Sequence, residues 1–406
     1  MKVISVPVRV FVLFACGYFV SYVYRGVNLG FAPYLAKELG TSAADLGLLT
    51  SLYFLGFAGA QIPAGILLDR YGPRRVCALL MLIAAAGSVI FGVAQSKEVL
   101  MIGRLLIGIG LCVCLGGAYK AIAQWYETRR LPLINGLVVA IGGSAGIMMG
   151  SPMLWLLSIT DWRSICFGLT ILTIIAAAMI WFFAPRSKEV VQHVDFASQL
   201  RGVKQIWSSP SFWKVASFTS LTQGIFYALQ SLWVSPFLRD VNGLPSSEIG
   251  FLVSLLAVAM VIGSIGIGLF ARSLERYGIS VQRFCGLGML VFVLMQIAII
   301  VQVPLPLWLL WLAYGISAMS GLLGYSLLAE QFPIQMIGRV NTSFTLLMFF
   351  AIFGCQVGIG AVLEQWPEQQ GHYPAAAHIS AWVLLIVLQL LAAIWYFLPQ
   401  RKAARK

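Results

Sequence analysis

Charge is scarce in this 406-residue sequence: Asp, Glu, Lys and Arg together make up 10% of it, against about a quarter in an ordinary soluble chain. Its 14 acidic residues and 3 histidines form no cluster, so paired-carboxylate catalysis and a His-rich metal centre have no material to work with. The seven cysteines, Cys16, Cys77, Cys112, Cys114, Cys166, Cys285 and Cys355, match no thiolate spacing and fall in or at the ends of apolar runs. They read as small packing residues, with no disulfide frame and no metal expected. Neither an HExxH motif nor a P-loop occurs, so no catalytic residue and no cofactor is expected. Long polar stretches are missing as well, which excludes soluble enzymes, secreted scaffolds and nucleic-acid modules.

In place of polarity there is hydropathy: 60% of the residues are hydrophobic and the mean hydropathy is +0.90. Apolar runs long enough to cross a bilayer predict twelve helices, near residues 8–36, 45–68, 76–95, 98–123, 133–157, 163–184, 212–238, 247–271, 281–302, 306–329, 340–363 and 377–399. The first run continues too far for a signal peptide and lacks a small-residue cleavage site before Arg25, so it reads as the first span. Twelve spans put both termini on one face. Assigning that face to the cytoplasm gives it 20 of the Lys and Arg residues and leaves Lys37, Lys97, Arg163 and Arg239 on the other. The positive-inside rule therefore predicts cytoplasmic termini. The formal charge of +13 is mostly a topology signal, and no nucleic-acid partner is expected.

The longest internal polar stretch, 185–211, divides residues 1–184 from 212–406, each with six predicted helices. The two parts repeat weakly. PYLAKELGTSAADLG (Pro33 to Gly47) aligns with PFLRDVNGLPSSEIG (Pro236 to Gly250), DRYG at Asp69 with ERYG at Glu275, Tyr119 with Tyr325, and Asn135 with Asn341. A duplicated six-helix unit with a midplane site between halves is a transporter architecture. An all-α membrane protein of two pseudo-symmetric six-helix halves joined by a cytoplasmic linker is expected.

The segment GILLDRYGPRRV, Gly65 to Val76, resembles the signature loop of the major facilitator superfamily, with a second copy at Glu275 and Arg276. Its expected physics is close packing at Gly65 and Asp69 facing a neighbouring helix N-terminus, with Gly72 a further member of the latch. Arg70, Arg74 and Arg75 would sit at the headgroups. The resemblance implies that this loop latches the two halves in the outward-facing state. GRLLIGIG (Gly103 to Gly110) is similar to the superfamily's helix-4 arginine motif. Gly142, Gly146, Gly150 and Pro152 resemble the glycine-proline motif of drug antiporters with Ser151 interposed, and the glycine spacing favours close packing over an export signature.

Three cations remain inside predicted spans: Arg25, Arg104 and Lys120. A cation at bilayer depth costs several kcal/mol unless it meets a partner or a watery cavity. Every Asp and Glu lies in a loop or at a helix end, so an anionic substrate is the natural partner. Arg104 and Lys120 are 16 residues apart, about 160° around one helix, so one of them is expected to be structural. Tyr22, Asn28, Gln61, Tyr119, Gln223, Tyr227, Gln230, Trp233 and Tyr325 are candidate polar and aromatic lining.

The span Gly17 to Leu35 is similar to the first helix of organophosphate:phosphate exchangers, and the Arg25 and Arg104 pair to that of organic anion:cation symporters. The resemblance implies that these arginines engage substrate anions. Where the exchangers carry a second arginine this chain has Ala228, and where the symporters carry acids it has Tyr24 and Leu111. The expected function is secondary transport of a small organic anion of the carboxylate type by alternating access, through exchange or coupled to protons. The alternative is an exporter of hydrophobic or cationic compounds; a membrane enzyme or a nutrient sensor is the third class. A monomer in the bilayer of a bacterial inner membrane is expected.

Overall fold

A computed structural model describes residues 5–127, 130–186, 196–275, 277–333, 336–369 and 372–398; at 132–133, 196–200, 268 and 271–275 it describes the backbone only. Every predicted span is helical. The first is α1 (Val6–Gly26) followed by α2 (Asn28–Leu39), interrupted at Val27. α3 (Ala43–Tyr71), α4 (Pro73–Gly92), and the stacked pair α5 (Lys97–Leu111) and α6 (Cys114–Ala123) follow. The fifth span is bent by 50°, joining α7 (Leu131–Ser144) through a short 3-10 turn to α8 (Ser151–Ile159). Beyond α9 (Trp162–Phe183) lies α10 (Phe196–Trp207), an amphipathic helix in the predicted linker. The seventh span runs through α11 (Pro210–Ala228), a π-turn at Leu229–Trp233 and α12 (Val234–Asp240). The rest are α13 (Ser246–Glu275), α14 (Val281–Ile300), α15 (Leu307–Ala318), α16 (Gly324–Gln331), α17 (Ile337–Leu363) and α18 (Ala375–Phe397).

Among the described residues ten helices are long and apolar enough to cross a membrane, eleven with the bent pair. The run from Pro210 to Asp240 is not one of them. It carries Lys214 and the polar series Ser217, Thr219, Ser220, Thr222 and Gln223, most of it buried against other helices instead of facing lipid. Outward-facing Leu79, Ile171, Phe182, Leu294 and Leu391 are more than half exposed, the inverse of a water-soluble surface and the pattern a bilayer requires.

Local chemistry sets the helix ends. Ser42 and Asp45 form a reciprocal capping box at the start of α3, Asp161 caps α9, and Pro73 and Pro210 occupy first-turn positions where a missing N–H costs nothing. Among the described residues the positive-φ glycines are Gly40, Gly72, Gly243 and Gly278. They are two pairs at the repeat offsets, with φ of 60° and 64° for Gly40 and Gly243, and 78° for both Gly72 and Gly278. The same turns are therefore built twice.

The repeat extends to tertiary contacts. A Cβ on Gly47 of α3 would stand 2.6 Å from the Gln356 carbonyl oxygen of α17, and one on Gly150 would stand 2.4 Å from the Gly250 carbonyl oxygen of α13. Gly47 aligns with Gly250, and Gly150 with Gln356, so one backbone contact occurs twice about the pseudo-symmetry axis. Both lie toward the end of the bundle that carries Ser42, called the far end here; the Asp69–Arg75 loop marks the loop end. The Ala44 N–H also donates to Glu364 across the far end at 3.2 Å.

The far-end cations Lys97, Arg163 and Arg239 pair with Asp45, Glu38 and Asp240. The Asp240 side chain is fully enclosed. It accepts from the Arg239 guanidinium at 2.7 and 3.2 Å, lies 2.8 Å from His372 Nδ1 and 3.0 Å from His378 Nε2, and accepts the Tyr373 N–H at 3.2 Å. This knot fastens α12 to the start of α18. Asp240→Ala is expected to cost about 3–5 kcal/mol, the loss for removing one member of a buried charged network. A lowered apparent melting temperature of detergent-purified protein checks it; an unchanged midpoint contradicts it.

Candidate functional site

Arg25 stands in the last turn of α1, where the span breaks. Only 9% of it is exposed, and its Nε has no hydrogen-bond partner. Its guanidinium carbon lies 4.8 Å from the ring centre of Tyr22, 5.6 Å from Tyr227 and 5.9 Å from Phe349. Aromatic faces stabilise a cation through their quadrupoles without neutralising it. Its Nε–H, which has no partner among the described residues, therefore remains available for an anion.

Beside this guanidinium is a cavity of about 20 Å³, room for about one water molecule. Tyr22, Arg25 and Gly26 of α1 line it, with Gly146 and Met149 from the bend between α7 and α8, Tyr227 of α11, Gln230 and Ser231 of the π-turn, and Val253 of α13. The wall thus takes residues from both parts of the repeat. No carboxylate is among them. The Tyr22 hydroxyl donates to Met260 Sδ at 3.1 Å and ties α1 to α13 above the cavity.

Of the residues singled out from sequence, Arg25, Tyr22, Tyr227 and Gln230 come together here. The structure does not bring the others to this wall. Asn28 donates to Thr50 Oγ1 at 3.0 Å, Gln223 to the Ala318 carbonyl at 2.6 Å, and the Tyr325 hydroxyl meets Thr345 Oγ1 at 2.8 Å. Trp233 is buried against Gly47, while Gln61 and Tyr119 are half-buried on α3 and α6. Ser231, Met149, Val253 and Phe349 were not singled out. Ser231 and Gln230 stand four and three residues beyond Tyr227, about 40° and 60° from its face at 100° per residue, so helical spacing was the signal that could have found Ser231.

The other two cations in spans each reach a protein partner, although Arg104 does so through Nη1 alone and its Nε and Nη2 have none among the described residues. Arg104 is fully buried and donates from Nη1 to the Tyr24 carbonyl at 3.0 Å. That carbonyl belongs to the last turn of α1, where helix carbonyls lose their intrahelical donors. Arg104 thereby caps the break beside Arg25, packed over Tyr53 and Phe91. Lys120 pairs with Asp69 at 2.6 Å.

That pairing corrects the expected packing of the signature loop. In this conformation Asp69 pairs with Lys120 of α6, whose side chain extends toward the loop end. Among the described residues Gly65 is not in close packing: a Cβ there would meet none of their atoms within 4 Å. Gly72 makes the turn, its N–H bonded to the Leu68 carbonyl. Arg74 donates to the Trp181 carbonyl at 2.7 Å, Arg70 lies over Tyr71, and Arg75 is exposed. Arg276 and the Glu275 side chain lie outside the described residues. Gly142, Ser144 and Gly146 make a G-x-S-x-G series, but it lies in and just after α7, and Ser144 donates to the Ile141 carbonyl at 2.7 Å. It lacks the strand-to-helix elbow that the esterase chemistry of that motif requires.

Comparison with known proteins follows the geometry. The family model described as Major Facilitator Superfamily matches residues 14–354. The probable sulfoacetate transporter SauU of Cupriavidus necator is 23% identical over 261 residues, 61% of this chain and 60% of that protein. The probable nitrate/nitrite antiporter NarK1 of Thermus thermophilus is 26% identical over 234 residues, 54% and 51% of the two chains. The chain thus spans little more than half the length of these curated relatives. Drug-resistance transporters also occur among the matches. A crystal structure of a bacterial homologue of the human lysosomal transporter Spinster, inward-facing and occupied, superposes with a TM-score of 0.79 at 18% identity. It covers 98% of this chain and 97% of that one, a likeness of fold.

Arg104→Ala is expected to lower stability by about 1.5–3 kcal/mol, the weight of a hydrogen bond to a charged group, while the folded fraction keeps its affinity for anions. Thermal unfolding and anion titration of the same preparation check it. Wild-type stability combined with lost affinity contradicts it.

Proposed function

The chain belongs to the Major Facilitator Superfamily and is a multi-pass membrane transporter; from that premise we propose that it carries a small organic anion by alternating access, with Arg25 as the main counter-charge. The observation that carries this reading is the buried Arg25 guanidinium, flanked by three aromatic rings, with Nε unpartnered and no acid in the adjoining wall. A cation in that setting is costly until an anion arrives. One strong charge, with neutral donors at Tyr22, Tyr227, Gln230 and Ser231, suits a single carboxylate or sulfonate group better than a phosphate needing two arginines. The relatives with anion transporters' names support the same class.

At about 20 Å³ the cavity is too small for such a substrate, so loading requires the halves, 1–184 and 212–406 about the 185–211 linker, to move apart. The paired backbone contacts at Gly47 and Gly150 support a state closed at the far end. With cytoplasmic termini, the far end faces outward and the conformation is closed to the outside. A bacterial inner membrane is the proposed location. Because no acid lines the cavity, the cycle is either exchange or movement of the substrate with its own proton. Export of a hydrophobic cation is the competing reading, and Arg25 beside the cavity opposes it electrostatically.

In proteoliposomes, Arg25→Ala is expected to lower uptake of the transported anion at least about 30-fold, the ratio for about 2 kcal/mol lost from a buried charge pair, without loss of folded protein. Unchanged flux would sink the assignment. Gly47→Leu is expected to disfavour the far-end closure by about 1–3 kcal/mol, as overpacking does, leaving binding but slowing transport. Transport at the wild-type rate would contradict that closure contact.

A further inference from the structure

We propose that Gln356 of α17, which is not in the cavity wall, is a positioning residue that makes the Ser231 hydroxyl a hydrogen-bond donor toward the substrate. The inference rests on the anion reading of the Arg25 cavity and deepens it, adding a selectivity element on the side of the cavity opposite α1.

The geometry begins in the π-turn. Ser231 lines the cavity and is 4% exposed. Gln356 is fully buried and reaches it from the neighbouring helix: Nε2 donates to Ser231 Oγ at 2.6 Å and to the Ala228 carbonyl at 2.9 Å. Both N–H groups of the amide are then in use, and its Oε1 has no partner.

The amide orientation follows from its surroundings. Turning it over would set Oε1 against the Ala228 carbonyl, an acceptor facing an acceptor, so the nitrogen must face that way. Ser231 Oγ therefore accepts from Gln356 and its own proton is left to donate. At present that proton has the Ala228 carbonyl at 3.3 Å, a long bond to an oxygen the Gln356 amide already serves. Giving up such a bond for an anion in the cavity costs little. A serine hydroxyl otherwise accepts and donates with equal ease and would discriminate poorly between anions and cations. With one lone pair held by the amide, and Arg25 supplying its Nε–H from α1, both walls of the cavity present donors.

The test is a double-mutant cycle read by anion affinity and by transport. Purified wild type, Ser231→Ala, Gln356→Leu and the double variant are titrated with acetate, methanesulfonate and nitrate, with Arg25→Met as the reference for loss of the site. Ser231→Ala and Gln356→Leu are each expected to weaken the best-bound anion up to about tenfold, the weight of one hydrogen bond to a charged group. The double variant should be no weaker than Ser231→Ala alone, since Gln356 acts through that hydroxyl. In proteoliposomes KM should rise while the maximal rate stays within about twofold, a split that loss of packing would not produce. Should Gln356→Leu fail to fold, Gln356→Met closes the cycle: its unbranched, uncharged side chain fills similar space without donating to Ser231 and should weaken binding by as much. Additive losses, or wild-type affinity in Ser231→Ala while Arg25→Met abolishes binding, would overturn the positioning role and leave the anion reading intact. If no anion binds wild type, or Arg25→Met binds like wild type, the anion reading falls and this proposal with it.

Discussion

A guanidinium buried between two halves of a helical bundle, with no carboxylate to neutralise it, is the constraint around which the centre of this molecule is arranged. Desolvating a cation without compensation costs several kcal/mol, and the chain offsets part of that with aromatic faces instead of an acid. Tyr22, Tyr227 and Phe349 surround Arg25, and they come from α1, α11 and α17, so the environment exists only when both halves are together. An acid would have stabilised the resting protein more. It would also have competed with any anion for the same N–H groups.

Two neighbouring features serve that arrangement. The break at Val27 ends α1 within Arg25's own turn, two residues beyond it, and Arg104 donates to a carbonyl of that turn. The π-turn in the seventh span carries Gln230 and Ser231, three and four residues beyond Tyr227, and both line the cavity with it. Around them the duplication supplies closure. The contact of Gly47 with the Gln356 carbonyl and that of Gly150 with the Gly250 carbonyl are one interaction made twice, and small residues are needed because backbone meets backbone.

The helices were legible in the sequence because a bilayer leaves little choice: about twenty apolar residues per crossing and every backbone group satisfied within the helix. The repeat was legible from Pro33, Asp69, Tyr119 and Asn135 and their counterparts, and the positive-φ glycines Gly40, Gly72, Gly243 and Gly278 obey it too. Helix interruptions were not legible. Neither Val27 nor Leu229 to Trp233 contains proline, and the hydrogen bonds that support these breaks come from distant helices. Arg25 stood out as a deep cation without a neighbouring acid. Lys120 and Arg104 looked equivalent to it because their partners, Asp69 and the Tyr24 carbonyl, are brought to them by tertiary packing that no spacing rule contains. Gly65 shows the converse: a signature position whose expected packing partner is absent from the described residues around it.

The central claim is that the cavity beside Arg25 selects negative charge. It is tested most directly by thermal stabilisation of the purified protein with matched small ligands: acetate and methanesulfonate, the neutral acetamide, and the cation tetramethylammonium. Ligand present at about 100 times its dissociation constant adds about 2.7 kcal/mol to the folded state. The account predicts stabilisation by the anions alone, and its disappearance in Arg25→Met. Stabilisation by the cation, or anion stabilisation that survives Arg25→Met, would contradict it.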